Sequence, residues 1–418
     1  MKRSPVLLLG VPIDRFTIDE TVAYIFHLMD CHARDHRPRL VCTVNTDFIV
    51  NTLSWNIRRA RHPELLSILR SADLVTADGM PLVWTSRLLG PDIPERVTGA
   101  DLVPRLAKAA AERNKSLYLL GGRADSAQGA ADILKRTCPG LTIAGIDSPF
   151  VHTEGTDLLH AYEDDEAIVE RINAARPDIL FIAFGNPKQE IWFEMNRHRL
   201  KVPVSIGIGG TFDFITGSIS RAPGWMQKSG MEWLYRFSQD PKRLWKRYLI
   251  DFVKFGTLVW PSIALHQYMR RVASHTYLQR CKAGISYKNM TRGADDIIAV
   301  SLPGSINAET AGRLANLMPK RPASHLILDS SAVEYADSAG LALFVMVVSL
   351  WVSQGYEVLC TNMGRSIKKL LIYNRMADLF SSRQYASLDE ALSSLDSKGR
   401  KPAYIVAASE EGRGSILR

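Results

Sequence analysis

The sequence predicts an α/β protein, with a mostly parallel, Rossmann-like sheet in its first domain and a smaller α/β domain after it. Short apolar runs alternate with helical patterns such as ADLVPRLAKAAAERN; the runs are VLLLGVPI, RLVCTVN, ADLVTAD, SLYLLGG, LTIAGI, DILFIAFG and PVSIGIGG. Each run is bounded by turn residues and is too continuously apolar to leave one face in water. Strands that helices cover on both sides are typical of a parallel sheet.

A second alternation predicts the smaller domain. DIIAVSL, HLILDSS and EVLCTNM are expected to be strands, and INAETAGRLANLM, DSAGLALFVMVVSLWVSQ and RSIKKLLIYN to be helices. Before it the chain is aromatic and basic from about residue 230, with eight Lys or Arg against two Asp between Arg236 and Arg271. Composition therefore predicts a first domain with a basic helical appendage at residues 1–271 and a linker at residues 272–294. The second domain is expected at residues 295–396 and a disordered tail at residues 397–418.

Composition also restricts the partners and the compartment. Of the 418 residues, 46% are hydrophobic, which is enough to bury a core. The net charge of +9 favours a polyanionic partner: nucleic acid, anionic lipid or nucleotide phosphates.

The first apolar run is too short for a signal peptide, and no stretch reaches the roughly 20 apolar residues of a membrane-spanning helix. Five scattered cysteines favour a reducing cytosol. Cys31, His32 and His36 lack a second cluster, so we expect no metal and no cofactor.

Polar and glycine residues follow five of the predicted strands. In an open α/β sheet a ligand binds beyond the carboxyl ends of the strands, where glycines let a phosphate or sugar approach the backbone. One glycine-rich end is no more than a tight turn, but five together favour a substrate site. The residues are Thr43, Asn45, Asp47, Asp78, Gly79, Gly121, Gly122, Gly185, Asn186, Pro187, Lys188, Gln189, Glu190, Gly207, Gly209, Gly210, Thr211 and Asp213.

Asp78 is the candidate general base, because it stands at a strand end and a glycine follows it. The alternative is a structural Asp that caps the next helix, and position alone does not decide between the two. Arg221, in SRAPGW, and Lys188 are expected to meet phosphate groups. No D-x-D motif of the kind that holds a metal–nucleotide complex stands at a strand end, so we expect a metal-independent reaction.

Motifs throughout the first domain resemble glycosyltransferase family 26, the WecG/TagA/CpsF family. They are TVNTDF, ADGMPLVW, RVTGADL, YLLGG, FGNPKQEIW, GIGGTFDFITG and RAPGWMQKSGMEWLYRFSQDPKR, in this order, over about residues 5–250. The resemblance implies an inverting, metal-independent transferase in the cytoplasm, peripheral on the inner face of the cytoplasmic membrane. It implies a UDP-sugar donor of the N-acetylmannosamine, N-acetylmannosaminuronic acid or glucose type. The implied acceptor is a polyprenyl-diphosphate-linked sugar in exopolysaccharide or cell-envelope polysaccharide biosynthesis.

The same resemblance assigns roles to single residues. It implies that Asp78 is the base and that Thr43 and Gln189 are catalytic, and it matches the family's basic appendage to residues 232–247. A planar guanidinium donates two hydrogen bonds to a diphosphate, so arginines are expected to close over the leaving group. The candidates are Arg221 with one or more of Arg236, Arg243 and Arg247. Lipid head-group binding is the alternative for the three appendage arginines, since the appendage is expected to bind the anionic membrane surface without spanning it.

The second domain resembles a STAS domain, the fold of anti-sigma factor antagonists. The resemblance lies in LPGSINAETAGRL, HLILDSSAVEYADSAGLALF and a closing helix. It implies a regulatory domain with a protein partner. It also implies phosphorylation at the Ser that follows the Asp of the D-S-[SA]-G turn, which is Ser338. The alternative is that DSAG only caps the next helix.

Two functions fit these observations. The first is an enzyme that transfers a sugar from a UDP-sugar to a lipid-linked acceptor. The second is a non-catalytic, nucleotide-sugar-sensing partner-switch regulator. The presence of Asp78 and Gln189 favours the enzyme. Nucleic-acid binding would depend on charge alone. Because the positive charge lies beside an apolar run rich in Trp and Tyr, we expect a membrane surface and no nucleic acid.

Overall fold

The computed structural model describes residues 3–149, 158–239, 241–276, 286–292, 295–317, 324–380 and 384–397. These residues form two compact units that interleave along the chain. The first unit consists mainly of Ile13–Leu53 and Ala72–Thr257, and the second holds Ser4–Pro12, Ser54–Ser71 and the chain from Leu258 onward. The second unit therefore contains two segments from the N-terminal part of the chain in addition to the predicted second domain.

The chain begins with two short strands, β1 (Pro5–Leu8) and β2 (Val11–Asp14), which form a small two-stranded sheet. The next elements are α1 (Ile18–Asp35), β3 (Arg39–Val44), α2 (Thr46–Thr52), α3 (Pro63–Ser71), β4 (Leu74–Ala77), α4 (Met80–Leu89), α5 (Gly99–Glu112), β5 (Ser116–Gly121), α6 (Ala124–Thr137), β6 (Thr142–Asp147), α7 (Leu158–Ala175), β7 (Ile179–Ala183), α8 (Lys188–Asn196), β8 (Val204–Gly207), α9 (Thr211–Ile215) and α10 (Gly224–Lys228). The appendage consists of α11 (Glu232–Gln239) and the long helix α12 (Pro241–Thr276).

The first unit is built on a six-stranded parallel sheet in the order β4-β3-β8-β7-β5-β6. Strand β8 lies inside the sheet and pairs with β3 and β7, so that Gly207 stands opposite Cys42 and Ile182. Strands β3, β4, β7 and β8 are buried along their whole length. Side chains from α1, α5 and α6 join them in one apolar cluster. This confirms the parallel sheet predicted from the continuous apolar runs.

The first apolar run folds differently from our expectation. VLLLGVPI does not join the parallel sheet but turns back at Leu9 and Gly10, whose φ values are 50° and 86°. Two residues with positive φ form the tight hairpin turn that matches the natural twist of paired strands. Strand β1 belongs to the second unit, where Leu7 is a core residue. A short apolar run has no periodicity that separates a straight strand from a hairpin.

The second unit contains a five-stranded sheet in the order β15-β14-β12-β10-β9. Its pairs are parallel apart from β9 and β10, which are antiparallel. Two short strands, β11 and β13, form a separate pair. The elements are β9 (Ser286–Arg292), β10 (Asp295–Ser301), β11 (Ser305–Ile306), α13 (Ala308–Leu317), β12 (His325–Asp329), β13 (Tyr335–Ala336), α14 (Ser338–Ser353), β14 (Val358–Thr361), α15 (Arg365–Tyr373), α16 (Ala377–Phe380), β15 (Gln384–Tyr385) and α17 (Leu388–Ser397). The predicted second α/β fold is thus confirmed.

The stretch that we expected to be a linker, residues 272–294, contains regular structure. Helix α12 continues to Thr276, and β9 pairs with β10 along its whole length. The sequence of β9, SYKNMTR, is mostly polar, which a strand at the edge of a sheet permits. The composition of this stretch therefore concealed a strand. The tail predicted from residue 397 falls, apart from Ser397, outside the described residues.

Helix α12 also changes an expectation. Its segment Leu244–Arg271 contains a stretch that is long and apolar enough to cross a membrane, by length and composition only. The helix passes through Pro261. Part of its surface faces the protein. Lys254 donates a hydrogen bond of 2.7 Å to the carbonyl of Val50, and Ser262 donates one of 2.9 Å to Asn374.

Candidate active site

A cleft of about 390 Å³ lies at the carboxyl ends of β5, β7 and β8 in the first unit. Parallel strands all end at one edge of their sheet, so the turns that follow these strands meet there. The cleft is lined by Gly122, Arg123, Pro149, Ala183, Phe184, Gly185, Lys188, Gly209, Gly210, Phe212 and Asp213. Six of these residues were predicted from the sequence, namely Gly122, Gly185, Lys188, Gly209, Gly210 and Asp213.

The glycine turn after β8 is held by two buried side chains. Thr43 donates a hydrogen bond of 2.8 Å to the carbonyl of Gly207. Gln189 accepts one of 3.0 Å from the N–H of Gly209, a residue with a φ of 54°. Position 207 must be glycine, since a Cβ there would lie 2.6 Å from the Gln189 amide nitrogen. Thr43 and Gln189 thus position a cleft-lining turn, and the direct catalytic role that we expected for them stays a prediction.

Glu190 completes this arrangement, and our sequence analysis assigned it no role of its own. The Gln189 amide donates a hydrogen bond of 2.7 Å to one carboxylate oxygen of Glu190. The other oxygen is buried without a hydrogen-bond partner among the residues that the structure describes. Burial raises the pKa of Glu190 to about 8, although the bond from Gln189 favours the charged form. The only available signal was its place beside Gln189 in FGNPKQEIW.

Glu190→Gln is expected to remove a pH-dependent loss of stability. The folded-state pKa of about 8 lies above the ordinary value of 4.5. The wild type should therefore lose stability as pH rises from about 4.5 to about 8, by a few kcal/mol at most (order of magnitude), and lose no more above that range. A glutamine cannot ionise and still accepts the bond from Gln189. Urea melts at a series of pH values measure the difference; equal pH slopes for the two proteins would contradict the assignment.

Asn45 and Gly79 shape the turns after β3 and β4. Asn45 caps α2, because its side-chain oxygen accepts a hydrogen bond of 2.9 Å from the N–H of Phe48. A Cβ at Gly79 would lie 3.6 Å from the hydroxyl of Thr46, so the two turns are neighbours. The structure therefore brings both residues to the predicted edge, with the Asn45 oxygen engaged in capping.

Four other predicted residues contribute to local structure. Thr211 is buried and donates a hydrogen bond of 2.6 Å to a main-chain carbonyl of its own turn. A Cβ at Gly121 would lie 2.6 Å from an aromatic ring, so only glycine fits there. Asp213 accepts a hydrogen bond from Ser126 while it lines the cleft. Pro187 is the residue from which α8 begins.

Asp78 follows β4 and its main-chain N–H donates a hydrogen bond of 2.7 Å to the carbonyl of Val44. The residue at the N-cap of α4 is Gly79, and no side chain caps that helix. The capping alternative for Asp78 is therefore not what the structure shows. Burial raises the pKa of Asp78 to about 7, against the opposing charges of Arg96 and Arg236. A carboxylate that exchanges its proton near neutral pH is suited to general-base chemistry.

The charged groups near Asp78 form a cluster of three arginines and two carboxylates. Arg221 contacts Asp101 at 2.6 Å, Arg96 contacts Glu232 at 2.7 Å, and Arg236 contacts Glu232 at 2.9 Å. Three guanidinium groups face these two carboxylates and Asp78, so the charges balance while Asp78 is ionised, and one positive charge is in excess once Asp78 has taken up a proton. We predicted Arg221 and Arg236, whereas Arg96, Asp101 and Glu232 are found only in the structure. These three residues lie within the motifs RVTGADL and RAPGWMQKSGMEWLYRFSQDPKR, where no local pattern indicates their role.

The two carboxylates of this cluster are held ionised. Burial alone would raise the pKa of Asp101, but hydrogen bonds from Arg221 and Thr98 outweigh it and lower that pKa. Burial would also raise the pKa of Glu232, but Arg96 and Arg236 outweigh it, so that the pKa of Glu232 is lowered. Of the remaining arginines that we predicted, Arg243 and Arg247 lie on α12 with side chains outside the described residues. Their diphosphate or lipid contacts stay predictions.

In the second unit, Ser338 is the first residue of α14 and is fully buried. Its hydroxyl donates a hydrogen bond of 2.9 Å to the carbonyl of Leu7 and accepts one of 3.0 Å from the Leu7 N–H. Capping of α14 is performed by Asp337, which accepts a bond of 2.7 Å from the N–H of Gly340. In this arrangement β1 covers the hydroxyl, and the expected phosphorylation of Ser338 stays a prediction.

No group of three or more His, Cys, Asp or Glu within the described ranges is arranged to hold a metal ion. The metal-independent reaction stays a prediction from the sequence.

The fold is a Rossmann-like α/β domain with a glycine-lined cleft and a cluster of charged residues at the carboxyl edge of its parallel sheet. Residues 6–269 match the model of the Glycosyl transferase WecG/TagA/CpsF family. The chain belongs to this family and is a glycosyltransferase. Residues 289–381 match the model described as Mlab, STAS domain. The fusion that the motifs predicted is thereby confirmed.

Curated relatives from three bacteria are similar to this chain. Each is named N-acetylglucosaminyldiphosphoundecaprenol N-acetyl-beta-D-mannosaminyltransferase. The protein of Bacillus spizizenii strain W23 is 28% identical over 58% of this chain and 87% of its own length. That of Bacillus subtilis strain 168 is 32% identical over 48% and 75%. That of Staphylococcus aureus strain MW2 is 30% identical over 58% and 87%. A solved structure of SLC26A9 matches 50% of this chain and 38% of its own, with 12% identity and a TM-score of 0.23.

Proposed function

We propose that this chain transfers a sugar from a UDP-sugar to a polyprenyl-diphosphate-linked acceptor at the inner face of the cytoplasmic membrane. The product would serve exopolysaccharide or cell-envelope polysaccharide biosynthesis. The observation that carries the proposal is the carboxylate of Asp78. It does not cap α4, it lies near the arginine cluster, and burial raises its pKa to about 7. The names of the curated relatives support UDP-N-acetylmannosamine as the first donor to test and an N-acetylglucosaminyl-diphosphate lipid as the first acceptor. Donors of the N-acetylmannosaminuronic acid and glucose types are the alternatives.

The proposed step is a single displacement at the anomeric carbon of the donor sugar. The acceptor hydroxyl oxygen forms a bond to that carbon while the bond to the UDP oxygen breaks, and the electron pair leaves with UDP. The hydroxyl proton passes to the carboxylate of Asp78. Attack from the side opposite the leaving group inverts the configuration. Arg96, Arg221 and Arg236 offset the charge that develops on the diphosphate.

The glycine-lined cleft supports donor binding in this scheme. Its turns leave the main chain open to close approach by a phosphate or a sugar hydroxyl. Lys188 lines the same cleft and supplies a cation beside the turns. We therefore assign the donor to the cleft, and the acceptor hydroxyl to the side of Asp78.

Purified full-length protein tests the proposal against a panel of UDP-sugars and lipid-diphosphate acceptors. UDP-N-acetylmannosamine, UDP-N-acetylmannosaminuronic acid and UDP-glucose are each offered with an N-acetylglucosaminyl-diphosphate lipid, and UDP release and glycolipid formation are measured. One donor should give product that depends on the acceptor. UDP-sugar binding without product from any donor would instead support the non-catalytic, nucleotide-sugar-sensing regulator.

The appendage is proposed to bind the membrane surface without crossing the bilayer. Its exposed apolar side chains are Trp233, Leu234, Trp245, Leu249, Ile250, Phe252, Val253, Trp260 and Tyr268. The opposite side of α12 is fastened to the protein by Lys254 and Ser262, which are both buried. A helix with one apolar exposed side and one side bound to protein fits the plane of the interface. The basic residues around it suit anionic lipid, at about 1 kcal/mol each.

Phe252→Ser combined with Trp260→Ser is expected to release the protein from anionic liposomes. Losing two inserted aromatic side chains removes at least about 3 kcal/mol of apolar transfer, which is roughly a hundredfold in partitioning. Flotation with anionic and neutral vesicles measures the capture. Trp55→Ser is the matched control, because Trp55 is equally exposed but lies outside the appendage. Undiminished capture of the double variant would exclude α12 as the anchor, and equal capture by neutral vesicles would exclude the electrostatic part.

A further inference from the structure

We infer that the STAS-like fold of this chain is a binding domain for a segment of its own chain. The surface around Ser338, the start of α14 and the α15–α16 turn holds strand β1 and helix α3, both of which come from the N-terminal part of the sequence. The consequence is that this surface is closed to other ligands and to modification unless β1 leaves it. All the contacts involved lie within the second unit.

Strand β1 is bound to the start of α14 by main-chain and side-chain contacts. The Ser338 hydroxyl uses its donor and an acceptor site on the two main-chain groups of Leu7, at 2.9 and 3.0 Å. The Leu7 side chain is fully buried in the same apolar cluster as Leu341 and Val345 of α14. The strand is thus recognised both through its backbone and through an apolar side chain, as in the addition of a strand to a receptor surface.

Arg70 of α3 binds the other end of this surface. Its buried guanidinium donates to the Gly10 carbonyl at 3.0 Å and to the Arg375 carbonyl at 2.6 Å. It also forms a two-point contact with the carboxylate of Asp378, at 2.6 and 3.1 Å. One side chain therefore links the β1–β2 turn, helix α3 and the α15–α16 turn. A lysine cannot reproduce this planar, forked geometry.

The fit is close on both sides of the contact. A Cβ at Gly10 would lie 2.9 Å from the Arg375 carbonyl oxygen, and the φ of Gly10 is 86°, so this position requires glycine. In return, the Arg375 side chain donates to the carbonyls of Ser54 and Asn56, at 3.2 and 2.8 Å. Both segments therefore contribute side chains and main-chain groups to the contact, as expected for a segment that is bound in the folded protein.

The bound segment that contains α3 connects two elements of the first unit. Residues Ser54–Ser71 connect α2, which follows Thr43 and Asn45, to β4, which ends just before Asp78. The segment that joins two turns of the candidate active site is therefore held by the C-terminal fold. Release of β1 and α3 would free this connection, so binding of the segment is expected to support turnover.

A negative charge at Ser338 is incompatible with bound β1. The N-terminus of α14 tolerates an anion by itself, but the Leu7 carbonyl oxygen lies 2.9 Å from the Ser338 oxygen and would repel it. The site is also fully buried and has no room for extra atoms. A carboxylate or phosphate at this position should therefore displace β1 without disrupting the helix.

Hydrogen–deuterium exchange on the full chain tests this inference without reference to activity. Ser338→Asp should raise exchange in peptides covering residues 4–12 by about tenfold or more, because the main-chain bonds of Leu7 are lost. Peptides from β7 and β8 should exchange as in the wild type. Ser353→Asp is the matched control, since Ser353 is exposed at the other end of the same helix. Wild-type exchange at residues 4–12 in Ser338→Asp would overturn the proposal.

Asp378→Asn covers the case in which Ser338→Asp does not fold. This substitution keeps the side-chain size but weakens the contact with Arg70, so exchange should rise in residues 63–71. Unchanged exchange in that segment overturns the role given to Arg70. Turnover is measured on the same samples. Raised exchange with wild-type turnover would overturn the link to the active site, whereas absence of turnover in the wild type itself would count against the proposed function alone.

Discussion

Asp78→Asn is expected to lower turnover by about 10²–10⁴-fold while leaving the fold and UDP-sugar binding intact. The amide has nearly the same size as the carboxylate but cannot accept the proton of the acceptor hydroxyl. Asp78 makes no capping bond to α4, so the substitution removes no hydrogen bond that the helix needs. Turnover is measured as UDP release with the lipid acceptor, and folding is followed by thermal melting.

The pH profile gives an independent readout of the same residue. Burial raises the pKa of Asp78 to about 7, and the base must be deprotonated to act. The wild-type kcat/KM should therefore rise with pH, reach half of its maximum near pH 7 and level off above that. The residual activity of Asp78→Asn should lack this limb. Asp92→Asn, at an exposed carboxylate paired with Arg87, is the control and should behave as the wild type. Near wild-type turnover in Asp78→Asn would remove Asp78 from the mechanism.

Arg221→Ala is expected to lower turnover by about 10²–10³-fold, even with a soluble acceptor analogue that lacks the lipid. Arg221 contacts Asp101 at 2.6 Å and belongs to the arginine cluster near Asp78, which gains one excess positive charge when Asp78 takes up the acceptor proton. Removing this guanidinium leaves less positive charge to meet the departing diphosphate. Arg221→Lys should recover only part of the activity, because a lysine has the charge but not the paired hydrogen bonds.

The soluble acceptor separates the two roles considered for the basic residues. A residue that meets the diphosphate changes turnover on any acceptor, whereas a lipid contact changes it only on membranes. Arg105→Ala is the matched control, since Arg105 forms an exposed ion pair with Asp19 that contributes little. If Arg221→Ala lowers activity only with membrane-bound acceptor, or only by lowering the melting temperature, Arg221 is not a diphosphate ligand.

Part of the candidate site could be predicted because strand ends are visible in the sequence. Asp78, Gln189 and the glycines of the cleft each follow a continuous apolar run, and parallel strands bring their carboxyl ends to one edge. The role of Asp78 was not decided by position, since an Asp before a helix often caps it. The observed N-cap at Gly79 excludes the capping alternative, and the role of Asp78 as base stays a prediction.

Other parts of the site had no local signal. Arg96 lies in a segment between α4 and α5, and its importance comes from contact with Glu232, which is far away along the chain. Glu190 looks like an ordinary charged residue of a helix, and only its burial beside Gln189 shows that it supports the glycine turn. Contacts between residues distant in sequence follow from packing, which a one-dimensional pattern does not contain.

The sequence by itself determined the class of the fold, the family and the edge of the sheet where the candidate site lies. These depend on local patterns: continuous apolar strands need cover on both faces, and turn residues mark where each strand ends. The tertiary structure alone decided that VLLLGVPI is a hairpin and that Ser4–Pro12 and Ser54–Ser71 pack in the second unit. It also decided that Ser338 binds Leu7 instead of facing solvent. The physical reason is that each outcome depends on which distant surface buries an apolar side chain and pairs a main-chain group, and neighbouring residues do not determine that choice.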